Sequence, residues 1–84
     1  MTNNILTPAQ IMAEVLVKYG NLTDAANGTG IQKSTLYEMR SYAGGKRVKM
    51  KNLQRKFEQL ASALGYDVIP AKQAVQVFVK NKTI

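Results

Sequence analysis

The stretch AANGTGIQKSTLYEMR, residues 25–40, decides the fold of this 84-residue chain. Gly30 lies near its middle, and glycine readily adopts the positive φ angle that a tight turn between two helices requires. Ile31 follows at once and can enter the core, while Leu36 and Met39 lie on one face of the next helix. The stretch therefore predicts two helices that meet at a steep angle, the second one anchored from beneath.

Sequence signals for the start of two helices precede the turn at Gly30. Thr7-Pro8-Ala9-Gln10 is a capping box with proline at the first helical position, and it predicts the start of a first helix. Asn21 or Thr23 caps a short second helix. We expect this second helix to extend to about Ala26, because the pair Asn27-Gly28 has poor helix propensity.

Glycines mark the predicted ends of the other helices. Gly20 ends the first helix. The third helix is predicted from Gln32 to about Tyr42, where Ala43-Gly44-Gly45 terminates it. A fourth helix is capped by Asn52, stops at Gly65, and has an apolar face made of Leu53, Phe57, Leu60, Ala61 and Leu64.

Beyond the fourth helix the apolar pattern changes to alternation. Tyr66–Ile69 and Ala74–Val79 are rich in β-branched residues and predict a hairpin, or two strands with different partners. Asn81–Ile84 is expected to be a frayed tail. The chain is thus predicted to be one mainly α domain, with a four- to five-helix core over residues 7–65 and a C-terminal β-strand or hairpin (α+β) over residues 66–80.

The residue inventory limits the chemistry. The chain contains no cysteine and no histidine. Thiolate nucleophiles, thiolate metal sites and imidazole bases are therefore absent, and Ser34, Ser41 and Ser62 have no histidine to activate them. We expect neither an enzyme nor a bound metal or cofactor. No stretch approaches the roughly 20 apolar residues of a membrane span, so a cytoplasmic protein with no membrane partner is expected.

Positive charge is concentrated in one segment. Twelve Lys and Arg against five Asp and Glu give a net charge of +7. Half of these basic residues lie within eleven positions that contain no acid: Lys46, Arg47, Lys49, Lys51, Arg55 and Lys56. Such an excess on a small domain predicts a polyanionic partner.

The spacing of the central stretch resembles a known DNA-binding motif. Over residues 22–42 it is similar to the helix-turn-helix of the phage repressor and Cro-like (Xre-type) family. The residues that carry the resemblance are Ala26, Gly30, Ile31, Leu36 and Met39. The likeness extends from Thr7 to Ile69, because Met50–Ile69 resembles the fourth helix of that family. The sequence departs from the usual family residues at Leu22, Thr29 and Gln32.

The resemblance implies a sequence-specific transcription regulator that binds double-stranded DNA, reading the major groove with helix 32–42. Base contacts are then expected from Gln32, Lys33, Ser34, Tyr37 and Glu38. Phosphate contacts are expected from Thr23, Ser41, Lys46, Arg47, Lys49 and Lys51. The implied DNA partner is a palindromic operator.

A homodimer is expected, because one recognition helix covers only a few base pairs. We assign the dimer contact to the alternating segment Ala74–Val79, since an uncovered apolar edge invites aggregation. The residues assigned are Val75, Val77, Phe78 and Val79. The alternative is that this segment only completes the subunit's own sheet, beside Ile5-Leu6.

Two other functions fit the same features. The architecture also serves as the antitoxin of a toxin–antitoxin pair, in which an exposed strand or extension binds the toxin and the complex represses its own operon. A protein-interaction module that has lost DNA binding is the second alternative. The concentrated positive charge argues against that module.

Overall fold

Four helices and three short strands make up the part of the chain that the computed structural model describes, residues 4–48, 51–69 and 76–82. In chain order they are β1 (Asn4–Leu6), α1 (Pro8–Tyr19), α2 (Leu22–Thr29), α3 (Lys33–Ala43), α4 (Leu53–Ala63), β2 (Tyr66–Ile69) and β3 (Val77–Lys82). The predicted mainly helical α+β fold is confirmed. β3 extends to Lys82, into the segment predicted to fray.

α1 begins and ends where the sequence predicts. The Thr7 hydroxyl accepts a hydrogen bond from the Gln10 backbone N–H at 3.2 Å, and the Thr7 N–H donates to the Gln10 side chain at 2.9 Å. At the other end Gly20 has a φ of 88° and donates its N–H to the Leu16 carbonyl at 2.9 Å. Between these caps, the inner face of the helix buries Ile11, Met12 and Val15.

α2 is longer than the sequence predicts. It begins after Asn21, whose side chain caps it, and continues to Thr29, beyond the expected end near Ala26. Gly28 lies inside the helix without breaking it. Its lack of a side chain allows close packing against α1. A Cβ atom at this position would lie 2.5 Å from Cε1 of Tyr19. The glycine allows the Tyr19 ring to lie against α2. The predicted end of the helix near Ala26 is therefore wrong.

The turn after α2 has the predicted geometry. Gly30 is left-handed, with φ 78° and ψ 5°, and its N–H donates to the Ala26 carbonyl at 3.0 Å. The Thr29 hydroxyl donates to the Ala25 carbonyl at 2.7 Å and accepts from the Ile31 N–H at 3.2 Å. Polar Thr29 therefore satisfies backbone groups at the turn, and Ile31 enters the core.

α3 and α4 bury the faces that the sequence predicts. Leu36 and Met39 of α3 are fully buried, and the Tyr42 ring packs against Phe57 of α4 with centroids 6.1 Å apart. Asn52 precedes α4 in the left-handed region, with a φ of 61°. Its side chain forms no capping hydrogen bond, contrary to the prediction.

The three strands form one antiparallel sheet in the order β1-β3-β2. β3 is the central strand, because Ile5 of β1 and Ile69 of β2 both lie opposite Phe78. The inward-facing side chains of the sheet are buried in the core: Leu6, Val77 and Val79. β2 and β3 also pack on α4, so the sheet closes the helical core on one side.

The position of β3 corrects the predicted dimer contact. Val77 and Val79 are 0% and 1% exposed, so their side chains belong to the subunit core and not to a surface. Both edges of β3 are paired with strands of the same chain, which leaves no edge for a partner's β3. The assignment of these two valines to a dimer contact is therefore wrong, and β3 pairs beside Ile5-Leu6, as the alternative expects. Val75 lies outside the described residues.

Polar contacts tie α1 to the C-terminal half of the fold. The Tyr66 hydroxyl donates to the Glu14 carboxylate, at 2.7 and 2.9 Å from its two oxygens. This hydrogen bond, the burial of Tyr66 and the negative charge of Glu14 together raise the pKa of Tyr66 to about 12. Nearby, the Lys18 ammonium donates to the Ala63 carbonyl at the end of α4, at 2.7 Å.

Candidate nucleic-acid interface

The outward face of α3 carries the side chains predicted to read bases. Exposed residues on this helix and directly before it are Gln32, Lys33, Ser34, Tyr37 and Glu38. A helix turns about once every 3.6 residues, so Ser34, Tyr37 and Glu38 lie on the side away from the buried core face, while Lys33 lies at its flank and Gln32 is the N-cap residue of the helix. The structure therefore brings all five predicted base readers to one surface.

Lys33 and Tyr37 are held side by side on this surface. The Lys33 ammonium lies 5.8 Å from the centroid of the Tyr37 ring, one turn further along α3. A cation–π contact at an exposed site contributes roughly 0.5–1 kcal/mol, enough to orient the ammonium without burying it. In the described part of the chain Glu38 forms no ion pair with Lys33 or Arg40.

The segment after α3 doubles back onto the helix. The backbone N–H groups of residues 44–46 each donate to a carbonyl near the end of α3 at 3.0 Å. Lys46 and Arg47 follow directly and are exposed. Because the start of the loop is fixed to α3, these two cations are held close to the predicted reading helix.

Lys46 lies between two clefts. The smaller one has a volume of about 340 Å³ and is lined by Tyr37, Arg40, Ser41, Gly44 and Lys46. The other has a volume of about 430 Å³ and lies between the loop and the start of α1, and Arg47 also lines it. The smaller cleft joins two predicted phosphate ligands, Ser41 and Lys46, with Arg40, which is not among the predicted contacts. The helical spacing of Arg40 from Tyr37 is the signal that identifies it.

The remaining predicted phosphate contacts lie elsewhere. Thr23 is exposed in the first turn of α2. However, the side chain of Asn21 already accepts from the Asp24 N–H at 2.8 Å, and the Asp24 carboxylate lies in the same turn. Its negative charge disfavours a phosphate at this helix end. Lys51 is exposed before α4, and Lys49 lies outside the described residues.

A second exposed surface lies on the outer face of the sheet. Ile5, Phe78 and Ile69 are neighbours across the three strands, and we call them the apolar sheet row. Ile5 is 51% exposed, and the other two side chains are half-buried. Within the described part of β3, Phe78 is thus the predicted dimer residue that stays accessible.

We also searched the described residues for a metal site and for a membrane-spanning helix, and compared the chain with known proteins. Among the described residues, no group of three or more His, Cys, Asp or Glu side chains is arranged to hold a metal ion. None of the helices in those residues has the length and apolar character needed to cross a bilayer. In comparisons with protein-family models, curated proteins and solved structures, the chain matches none of them. The resemblance to the phage repressor family therefore depends on the sequence of the residue 22–42 motif and of the segment 50–69.

Proposed function

We propose that this protein is a sequence-specific regulator of transcription that binds double-stranded DNA, of the phage repressor or Cro type. α3 lies in the major groove, with Gln32 and Lys33 at the end that approaches the bases. One observation carries this proposal. The polar outer face of α3 follows directly on the left-handed turn at Gly30, while Leu36 and Met39, both fully buried, anchor the helix from beneath.

The side chains on that face match the hydrogen-bonding groups of base edges. Gln32 pairs with adenine and Lys33 with guanine, and each good pair discriminates against a wrong base by about 1–3 kcal/mol. Ser34 reaches a base or a phosphate. The Tyr37 ring contacts a thymine methyl, and Glu38 accepts from the amino group of cytosine.

The basic loop supplies affinity that does not depend on sequence. Lys46 and Arg47 are exposed beside α3, and the chain carries a net charge of +7. If each subunit neutralises about four phosphates, a dimer contacts about eight. The slope of log K against log salt is then roughly −7.

We infer that the DNA-binding form is a homodimer joined through the apolar sheet row. Two recognition helices about 34 Å apart read successive turns of a palindromic operator, whereas one helix reads only a few base pairs. In most antiparallel sheets the outer face is polar. The apolar row Ile5, Phe78 and Ile69 on this face therefore indicates a surface that another protein chain buries. A second copy supplies the same row, related by a two-fold axis.

The deciding experiment selects bound fragments from random DNA and titrates variants against the selected and a scrambled duplex. Lys33→Ala and Gln32→Ala should each weaken the selected site by roughly 1–3 kcal/mol and change the scrambled duplex little. Arg47→Ala is the matched control, which should weaken both duplexes by similar factors and make the salt slope shallower by about one unit per lost contact.

Two results would overturn the proposal. If the selected-to-scrambled ratio is the same for wild type, Lys33→Ala and Gln32→Ala, α3 is not the reading helix. If the wild-type protein enriches no DNA and the salt slope is shallower than about −2, the basic loop is not on a phosphate backbone. The protein-interaction module then becomes the better description, with the apolar sheet row as its contact surface.

A further inference from the structure

We infer that the cleft of about 340 Å³ beside the C-terminal half of α3 binds a phosphodiester group of the DNA backbone, with Arg40 as its main ligand. The inference rests on the proposed function and deepens it. It assigns a role to Arg40, which is not among the predicted base or phosphate contacts, and it gives Ser41 and Lys46 a common ligand.

The lining of the cleft is complementary to a phosphodiester. Its lining residues include two cations, Arg40 and Lys46, and two residues that carry hydroxyl groups, Tyr37 and Ser41. No carboxylate lines it, and in the described part of the chain no acidic group pairs with the Arg40 guanidinium. The volume equals that of about ten water molecules at liquid density, which is enough for a phosphate group with part of its hydration.

The backbone cannot bind the anion here. The N–H groups of residues 44–46 all donate to carbonyls of α3, so none of them is available to a ligand. In addition, the C-terminal end of a helix carries a partial negative charge, which repels a phosphate. Side-chain cations must therefore supply the attraction. The arginine fork is suited to this, because it presents paired N–H donors to phosphate oxygens.

Arg40 lies on the flank of α3 that faces a wall of the major groove. Arg40 and Gly44 are four residues apart and so lie on one side of the helix, where both line the cleft. A helix with its side chains is about 10–12 Å wide, and the major groove is about 12 Å wide. The middle of the outer face therefore meets bases, while the flanks meet the phosphates that border the groove. Gly44 lacks a side chain, which leaves the cleft open on this flank.

Arg40→Gln tests this assignment on selected and scrambled duplexes. We expect affinity to fall by about tenfold for each bound subunit, equally on both duplexes, and the salt slope to become shallower by about one unit per subunit. Arg55→Gln is the matched control, because it removes the same charge from the exposed surface of α4, outside the cleft. Its effect on affinity should be about twofold or less.

A second variant distinguishes phosphate binding by Arg40 from a purely structural role of this residue. Arg40 lies in the last turn of α3, where a positive charge also favours the helix. Arg40→Lys keeps that charge and the melting temperature but loses the fork, so it should still bind both duplexes several-fold more weakly than wild type.

The outcomes distinguish the two proposals. If wild type binds DNA but Arg40→Gln behaves like Arg55→Gln, the cleft assignment is wrong and the regulator proposal stands. If Arg40→Gln weakens only the selected duplex, Arg40 reads a base and the phosphodiester assignment is also wrong. If wild type selects no DNA, the regulator proposal fails, and the cleft assignment fails with it.

Discussion

Gly28→Ala tests how closely α1 and α2 pack. In an open helix interior this substitution stabilises by roughly 1 kcal/mol, because glycine is a poor helix former. Here the new Cβ would lie 2.5 Å from Cε1, 3.1 Å from Cδ1 and 3.2 Å from Cζ of Tyr19. Carbon atoms attract at about 3.5–4.0 Å, so the half-buried ring must move. Such overpacking costs roughly 1–3 kcal/mol, and the expected net result is a loss of about 1 kcal/mol.

A double-mutant cycle with Tyr19→Ala isolates the clash. Without the ring, the same Gly28→Ala change should stabilise the protein by roughly 1 kcal/mol. Its effect on the free energy of unfolding should therefore differ by about 1–3 kcal/mol between the two backgrounds. Urea denaturation of the four proteins measures this difference, and 1 kcal/mol corresponds to a Tm shift of roughly 4–8 °C for a domain of this size.

Gly44→Ala is the control for this cycle. Gly44 has a φ of −82°, and an added Cβ there would come no closer than 3.5 Å to its neighbours. Its effect should not depend on Tyr19. Equal effects of Gly28→Ala with and without the Tyr19 ring would refute the argument that close packing requires glycine in α2.

Two further predictions concern the dimer and the Tyr66 contact. Ile5→Ser should weaken the dimer at least tenfold in sedimentation velocity, since burying such a side chain contributes about 1.5–3 kcal/mol, whereas Val17→Ser, exposed on α1, should leave it intact. An unchanged dimer in Ile5→Ser would rule out the apolar sheet row. The raised pKa of Tyr66, about 12, means that the folded chain binds this proton more tightly than the unfolded chain. The tighter binding of this proton contributes fully to stability below the ordinary tyrosine pKa of about 10. That contribution is lost as the pH rises through about 12, so the free energy of unfolding should fall over that range. Tyr66→Phe should flatten this part of the decline and Tyr37→Phe should not; an equally steep decline in Tyr66→Phe would contradict the assignment.

The helical framework is predictable because its signals are local. The Thr7 capping box, the turn at Gly30 and the buried side of α3 each depend on residues within a turn or two of one another. The end of α2 depends on Tyr19, which lies in a different helix, so the Asn27-Gly28 pair misleads a local analysis. Its glycine marks a close approach between helices, and helix propensity alone carries no information about such an approach.

The sheet and the cleft depend on contacts between distant parts of the chain. Alternation separates the two faces of β3 but does not specify which one meets the core, so the prediction that Val77 and Val79 contact a partner is wrong. β1 is too short for a pattern of its own. In the candidate site, helical periodicity predicts that Lys33, Ser34, Tyr37 and Glu38 are exposed, and they are. The spacing of Arg40 from Tyr37 predicts that the two share one side of α3, whereas the second wall of the cleft, which the loop at Lys46 forms, depends on the fold.

The central position of β3 has a consequence for the order in which the protein folds. Almost the whole described chain separates β1 from β3, and β1 has no other strand to pair with. In the folded protein α1, α2 and α3 contact one another, and all three are synthesised before β3. The helical unit can therefore assemble first, while Ile5 and Leu6 are still unpaired. Pairing of the sheet is the late step, and it carries the largest loop-closure entropy. Hydrogen exchange during refolding would then protect amides of α1 and α3 before those of β1.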